Sequence, residues 1–288
     1  VLRLLRPRQW IKNLLLFAAL VFARQLFVPR SAALAAAGFV AFCLAASSVY
    51  VVNDLVDVER DRLHPDKRAR PIAAGAIGPG RAALVAALLT ASALSAAFWI
   101  GRGFGAAVVA YLGLSHFYSL AGKNVVILDV LLVAAGFVIR AMAGALAIQV
   151  PYSDWFVLCT FFLATFIAFS KRRAELVAVG NGAEGTRPVL ALYSPAALAT
   201  FTAASMAAAI ISYSLYVQDA HARGDAATRE LLPFTVPFVI FVILRYHLLV
   251  ERGALGERPE EAVFRDGALL VSLAGFFAVA VAAFYWRT

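Results

Sequence analysis

The chain has 288 residues, of which 62% are hydrophobic and only 15% charged, with a formal net charge of +9 and a mean hydropathy of +0.82. A soluble domain of that size needs more polar residues to cover its core, so lipid has to be the solvent for much of the chain. The basic residues are scattered among short loops with no aromatic interleaving, which excludes nucleic acid as a partner, and Cys43, Cys159 and the four histidines lack the spacing of a disulfide framework or a zinc site.

Nine apolar runs are long enough to cross about 30 Å of hydrocarbon. They lie near 12–28, 31–53, 82–100, 104–121, 126–148, 152–170, 193–217, 231–250 and 268–286. Each is predicted helical, because lipid cannot satisfy an open sheet edge and the runs lack the alternation of a barrel strand. The expected fold is all-α: a polytopic bundle of about nine transmembrane helices forming one membrane domain over 1–288. The first run, entered through "RLLRPRQWIKN", has the outline of a signal peptide. Trp10, Lys12 and Asn13 enter its apolar stretch early, however, so it is read as a retained first span.

The second run ends in "YVVNDLVDVERD". If that helix continues past the membrane surface, about 100° per residue places Asp54, Asp57 and Asp61 within an arc of about 60°. Asn53 widens the arc to about 100°, and Glu59 points nearly opposite. Three carboxylates on one face repel each other unless a cation sits among them. Hard oxygens spread over two turns suit Mg²⁺, or Mn²⁺ in its place, sharing its coordination with substrate phosphates. The alternative is a solvated helix end balanced by Arg60 and Arg62. Directly behind comes "RLHPDKRARP", with Lys67, Arg68 and Arg70.

Further along, Tyr118 and Lys123 flank the short loop before the fifth run. Asp129 and Arg140 lie eleven residues apart, close to three turns, on one face of the fifth helix. Arg140 is the deepest charge in the chain, so it is expected in a cavity rather than against lipid. It is either tied to backbone carbonyls or touching substrate. The sixth run exits in "SKRRAEL", where Lys171, Arg172 and Arg173 outnumber Glu175. Such a stretch either binds phosphate directly or only marks topology. Alternate loops give one side about 17 Lys/Arg and the other about 6. The positive-inside rule then places the N-terminus and both long polar loops in the cytoplasm and the C-terminus outside, in the inner (plasma) membrane. Those two loops follow the second and sixth runs, which hints at a repeated four-helix unit.

The pattern Asn53, Asp54, Asp57, Asp61 after the second of nine spans, followed by "KRARPIAAG", resembles the UbiA superfamily of intramembrane prenyltransferases. That resemblance implies a helical bundle whose acidic motif binds a diphosphate through Mg²⁺ at its cytoplasmic mouth. Typical members carry a second, DxxxD-type motif after the sixth span, where this chain has "FSKRRAELVAVGNG". One acidic and one basic motif suggest a metal-bound diphosphate and a separately held phosphate. "RPRQWIKN", "HPDKRARPIAAG", "LDVLLVAAGFVIRAMAGALAI", "SKRRAEL" and "FRDGALL" are together similar to a particular branch. Its members join 5-phosphoribosyl 1-diphosphate to a polyprenyl (decaprenyl) phosphate, a Mg-dependent pentosyl transfer that feeds cell-wall arabinan synthesis.

For that reaction the resemblance implies catalytic roles for Asp54, Asp57, Asp61 and Lys12. Lys12 either meets a phosphate or snorkels to headgroups, and Asn13 orients a substrate more weakly. Lys67, Arg68 and Arg70 are expected at the 5-phosphate, on a loop stiffened by Pro65 and Pro71 or acting as a mobile lid. Lys171, Arg172 and Arg173 are expected at the lipid phosphate; Arg245, Arg265 and Asp266 are second-tier. The rival enzyme is a UbiA-type prenyltransferase with a small or aromatic acceptor. The rival class is a transporter whose path includes Lys12, Asp129 and Arg140, which the lack of paired broken helices disfavours.

Overall fold

The computed structural model describes residues 2–63, 67–179, 188–252 and 266–286. His64, Pro65, Asp66 and Arg265 lie outside them, as do most of the loops after the sixth and eighth runs. Among the described residues every regular element is a helix. Helix α1 (Leu2–Leu5) leads through a 3-10 run (Pro7–Phe17) into α2 (Ala18–Phe22). Then come α3 (Pro29–Val56), α4 (Val58–Leu63), α5 (Pro79–Ile100), α6 (Arg102–Leu120), α7 (Leu128–Ala147) and α8 (Asp154–Val179). The chain continues through α9 (Pro195–Arg223), α10 (Ala226–Leu231), α11 (Thr235–Glu251) and α12 (Gly267–Tyr285).

The starts of these helices follow from local chemistry. Pro29, Pro79 and Pro195 stand in the first turn, where a missing N–H costs nothing. Ser194, Asp225 and Asp266 cap α9, α10 and α12 by accepting from the backbone N–H of Ala197, Thr228 and Leu269 at 3.1, 3.0 and 2.9 Å. Among the described residues eight helical stretches are long and apolar enough to span a bilayer, and they match the expected runs from 31–53 onward.

The first run, 12–28, is built differently: it opens inside a 3-10 helix of 11 residues, Pro7–Phe17, and continues as a five-residue α-helix, Ala18–Phe22. At about 2.0 Å per residue in the former and about 1.5 Å in the latter, the helical part of the run from Lys12 to Phe22 extends about 20 Å.

Contacts gather the chain into two compact units, Val1–Leu120 with Ile139–Tyr152, and Ala121–Val138 with Ser153–Thr288. In the first, α3 packs on α5, α6 and the 3-10 run. Its core sets small Ala41, Ala45, Ala93, Ala97 and Ala143 around Phe42 and Phe104, whose rings lie 5.9 Å apart. Small residues let lipid-embedded helices approach closely, where dispersion rather than water exclusion drives packing. In the second unit α8 packs along α9 and α11 along α12. Two apolar clusters fill it, around Phe169 and Leu198 and around Phe166 and Ile243. Large side chains such as Trp99, Leu84 and Val271 remain exposed, as expected where lipid is the solvent.

Gly144 of α7 shows how close the first unit's packing is. A Cβ there would fall 2.2 Å from the carbonyl oxygen of Leu16 in the 3-10 run. Gly144→Ala should therefore cost about 1–3 kcal/mol, read as a lower thermal melting temperature in detergent. An unchanged melt would mean the 3-10 run is not held against α7.

Candidate active site

Helix α3 does not run unbroken past the surface. It ends at Val56, Asp57 takes φ −92° and ψ 10° as its C-cap, and α4 resumes at Val58. Helical bonding persists across the break: Asp57 N–H donates to Asn53 O at 2.9 Å and Asp61 N–H to Asp57 O at 2.8 Å. Asp54 and Asp61 therefore remain nearly in register on one side, only 2% and 3% exposed. Asp57 is half-buried, and Glu59 turns outward to pair with Arg62 at 2.8 Å.

The two buried acids meet on one cation. Arg70 Nη1 lies 3.1 Å from Asp54 Oδ1 and 2.5 Å from Asp61 Oδ2, and Arg6 pairs with the same Asp54 oxygen. Arg6 stands in the left-handed region just before Pro7, and its guanidinium stacks 5.1 Å over the Tyr50 ring. Burial lowers the affinity of the Arg6 guanidinium for its proton, and Asp54 opposes that shift. Arg70 is placed by Ile72, which is buried with Leu4, Val51, Ala82 and Ala86.

Among the described residues no three acidic, histidine or cysteine side chains form a ready metal cage. The donor set nevertheless fits a hard divalent ion. Asp54 and Asp61 already share one positive nitrogen, and the buried Oδ1 of the adjacent Asn53 has no hydrogen-bond partner among the described residues. Mg²⁺ commonly needs only one or two carboxylates, with waters and substrate phosphates completing its shell. The expected third carboxylate, Asp57, is the C-cap of α3 between Asp54 and Asp61.

A second polar cluster lies in the core of the same unit. Arg140 donates from Nε to Asn13 Oδ1 and from Nη2 to Tyr111 OH, both at 2.9 Å, and stacks 4.6 Å over the Tyr111 ring. Asn13 in turn donates to Cys43 Sγ at 3.3 Å. Asn13, assigned above to substrate, and Arg140, left open, are thus tied to each other. Lys12 is half-buried on the 3-10 run.

In the other unit, Asp129 is fully buried and accepts from Arg172 Nε and from Tyr193 OH, both at 2.7 Å. The Tyr193 oxygen accepts from Ile127 N–H at 2.6 Å. Ile127 has φ +68°, a strained conformation for a β-branched residue. Burial, followed by the bond to Asp129, raises the Tyr193 hydroxyl well above the ordinary phenol range, so it stays a donor. Arg172 also holds Glu175 at 2.9 Å, and Arg173 holds Glu251 at 2.5 Å. Arg172 and Arg173 of "SKRR" are therefore engaged by acids.

The structure brings together Asp54, Asp61 and Arg70, joins Asn13 to Arg140, and joins Asp129 to Arg172 and Glu175. Asp129 and Arg140 share α7 but serve different units. Lys67, Tyr118, Lys123 and Lys171 are half-buried and Arg68 is exposed. Arg245 pairs with Asp266 at 2.7 Å. Arg6, Tyr111 and Tyr193 were not singled out by the sequence reading. Arg6 entered it only as the first residue of the stretch "RPRQWIKN".

Against known proteins, the pattern of the UbiA prenyltransferase family matches residues 14–252. The chain is 34% identical over 300 residues to the decaprenyl-phosphate phosphoribosyltransferase of Mycolicibacterium smegmatis, covering 99% of this chain and 92% of that protein. It is 36% identical over 290 residues to the protein of the same name from Mycobacterium tuberculosis H37Rv, covering 98% and 93%. Among solved structures it is similar to a UbiA homolog from Archaeoglobus fulgidus bound to DMAPP and Mg²⁺. The TM-score is 0.76 at 21% identity, covering 98% of both chains; the form bound to GPP and Mg²⁺ gives 0.74. At that identity the likeness is one of fold.

Proposed function

Because the chain belongs to the UbiA prenyltransferase family, we propose that it transfers 5-phosphoribose from 5-phosphoribosyl 1-diphosphate to a polyprenyl phosphate such as decaprenyl phosphate, releasing diphosphate. The observation that carries this reading is the 34–36% identity, over 98–99% of the chain, to proteins named for that transfer. The replacement of a second acidic motif by Lys171, Arg172 and Arg173 agrees with it. An acceptor that is itself a phosphate wants cations there, whereas a second metal-bound diphosphate would want carboxylates.

The chain's own residues have a limited task in such a reaction. The lipid phosphate oxygen is already anionic at neutral pH, so no strong general base is required. Two anions have to be brought together and the departing diphosphate stabilised, which makes positioning and electrostatics the source of rate. Asp54 and Asp61, with Asp57 and the Asn53 oxygen beside them, would hold Mg²⁺ or Mn²⁺. A bound ion of this kind supplies Lewis-acid stabilisation of the leaving group. Lys171 and Lys12 are assigned to phosphates. Arg172 and Arg173 shape the basic stretch through their ion pairs with Asp129, Glu175 and Glu251.

The excess of basic residues on one set of loops supports placing the acidic mouth on the cytoplasmic side of the cell membrane. Use of the product in making arabinose donors for cell-wall arabinan is part of the same proposal.

Purified protein given radiolabelled 5-phosphoribosyl 1-diphosphate and decaprenyl phosphate should yield a lipid-linked phosphoribose. EDTA should stop the reaction and added Mg²⁺ restore it. Prenyl transfer from a prenyl diphosphate to a small acceptor, with no lipid-linked sugar, would replace this reading with the rival one.

A further inference from the structure

Asp54 and Asp61 are almost closed to solvent, whereas the Arg6 and Arg70 side chains that cover them are 27% and 29% exposed. From the water side, an incoming group meets guanidinium before it meets carboxylate. Of the carboxylate oxygens available to a divalent ion, Asp54 Oδ1 and Asp61 Oδ2 are held by these arginines. Two acids and two guanidiniums are already balanced in charge. An ion added alone must either displace the arginines or sit beside them against like-charge repulsion. An ion arriving with a diphosphate faces no such conflict, since the phosphate oxygens offer the guanidiniums a new anionic partner with bidentate geometry.

Neither arginine is free to leave the mouth. Arg6 is stacked on Tyr50 and fixed by the backbone at Pro7, and Arg70 is two residues from the buried Ile72. Displaced from the carboxylates, both stay beside whatever the carboxylates then hold.

We propose that Arg6 and Arg70 are donor-binding residues that exchange partners, resting on Asp54 and Asp61 until a divalent ion and a diphosphate enter together and then transferring to the diphosphate oxygens. This rests on the reading that the acidic mouth binds a metal–diphosphate, and it extends that reading by making ion and donor binding mutually dependent. Arg6 thereby joins the site although its sequence context gave no such role.

Mn²⁺ binding to the purified protein, without donor, can be followed by the loss of the free-ion paramagnetic signal. Inorganic ³²P-diphosphate binding at saturating free Mn²⁺ can be followed by equilibrium dialysis. Arg70→Ala should tighten Mn²⁺ alone by about fivefold and weaken diphosphate by about tenfold. Arg6→Ala should shift both in the same directions. Arg70→Lys, which keeps the charge, should stay near the parent in the Mn²⁺ arm and carries the comparison if the alanine variant does not fold. A purely structural role would weaken both ligands together. Mn²⁺ binding that is unchanged or weaker in both alanine variants, or diphosphate binding that survives them, overturns the proposal. The diphosphate probe is common to phosphoribosyl and prenyl donors. Opposite shifts without phosphoribosyl transfer would therefore sink the functional reading alone, and transfer without the opposite shifts would sink only this inference.

Discussion

Asp61→Asn is expected to lower turnover by about 10²–10³-fold while the bundle stays folded. The substitution keeps the shape of the side chain and removes the charge. Arg70 loses one of its two carboxylates but keeps Asp54, so the loop that carries it retains an anchor alongside the buried Ile72. Asp54→Asn should abolish turnover as well, with a larger loss of stability, because Asp54 is the partner of both Arg6 and Arg70. The separation between the two variants is the informative part. Turnover and thermal melting measured on the same preparations would reveal it. Near-normal activity in Asp61→Asn would remove the acidic pair from the chemistry.

The second large effect concerns stability rather than rate. Asp129→Asn leaves the buried Arg172 guanidinium paired with Glu175 in place of two acids, and it weakens the acceptor of Tyr193. Breaking a buried ion pair from one side costs about 3–5 kcal/mol. The partly exposed Glu175 should hold the loss toward the lower end. Adding Arg172→Gln should recover part of it, because the stranded charge is gone. Thermal melts of the two single variants and the double variant make a cycle that isolates the coupling. Strictly additive losses would mean Arg172 does not depend on Asp129, which would return it to the set of phosphate ligands.

The acidic motif shows how far spacing alone reaches. Helical periodicity put Asp54 and Asp61 on one side, and they share a cation there. Spacing did not show that α3 ends there, with Asp57 as its C-cap and α4 resuming at Val58. The first run shows another limit, because apolar length is legible while the choice of 3-10 over α-helix is not. That choice turns on contacts such as Trp10 Nε1 to Ser47 Oγ at 3.1 Å and the close approach of Leu16 to Gly144.

By itself the sequence determined that lipid is the solvent, that the backbone must be helical, and that acids and bases gather where apolar runs end. Those conclusions depend on composition and on residues within a turn or two of each other, since hydrocarbon forces backbone hydrogen bonds to close locally. Only the tertiary structure decided which charge meets which. Arg6 finds Asp54 across 48 residues, Arg172 finds Asp129 across 43, and Arg140 finds Asn13 across 127. Each pairing is set by how distant segments pack, a property of the folded chain that no short stretch of it contains.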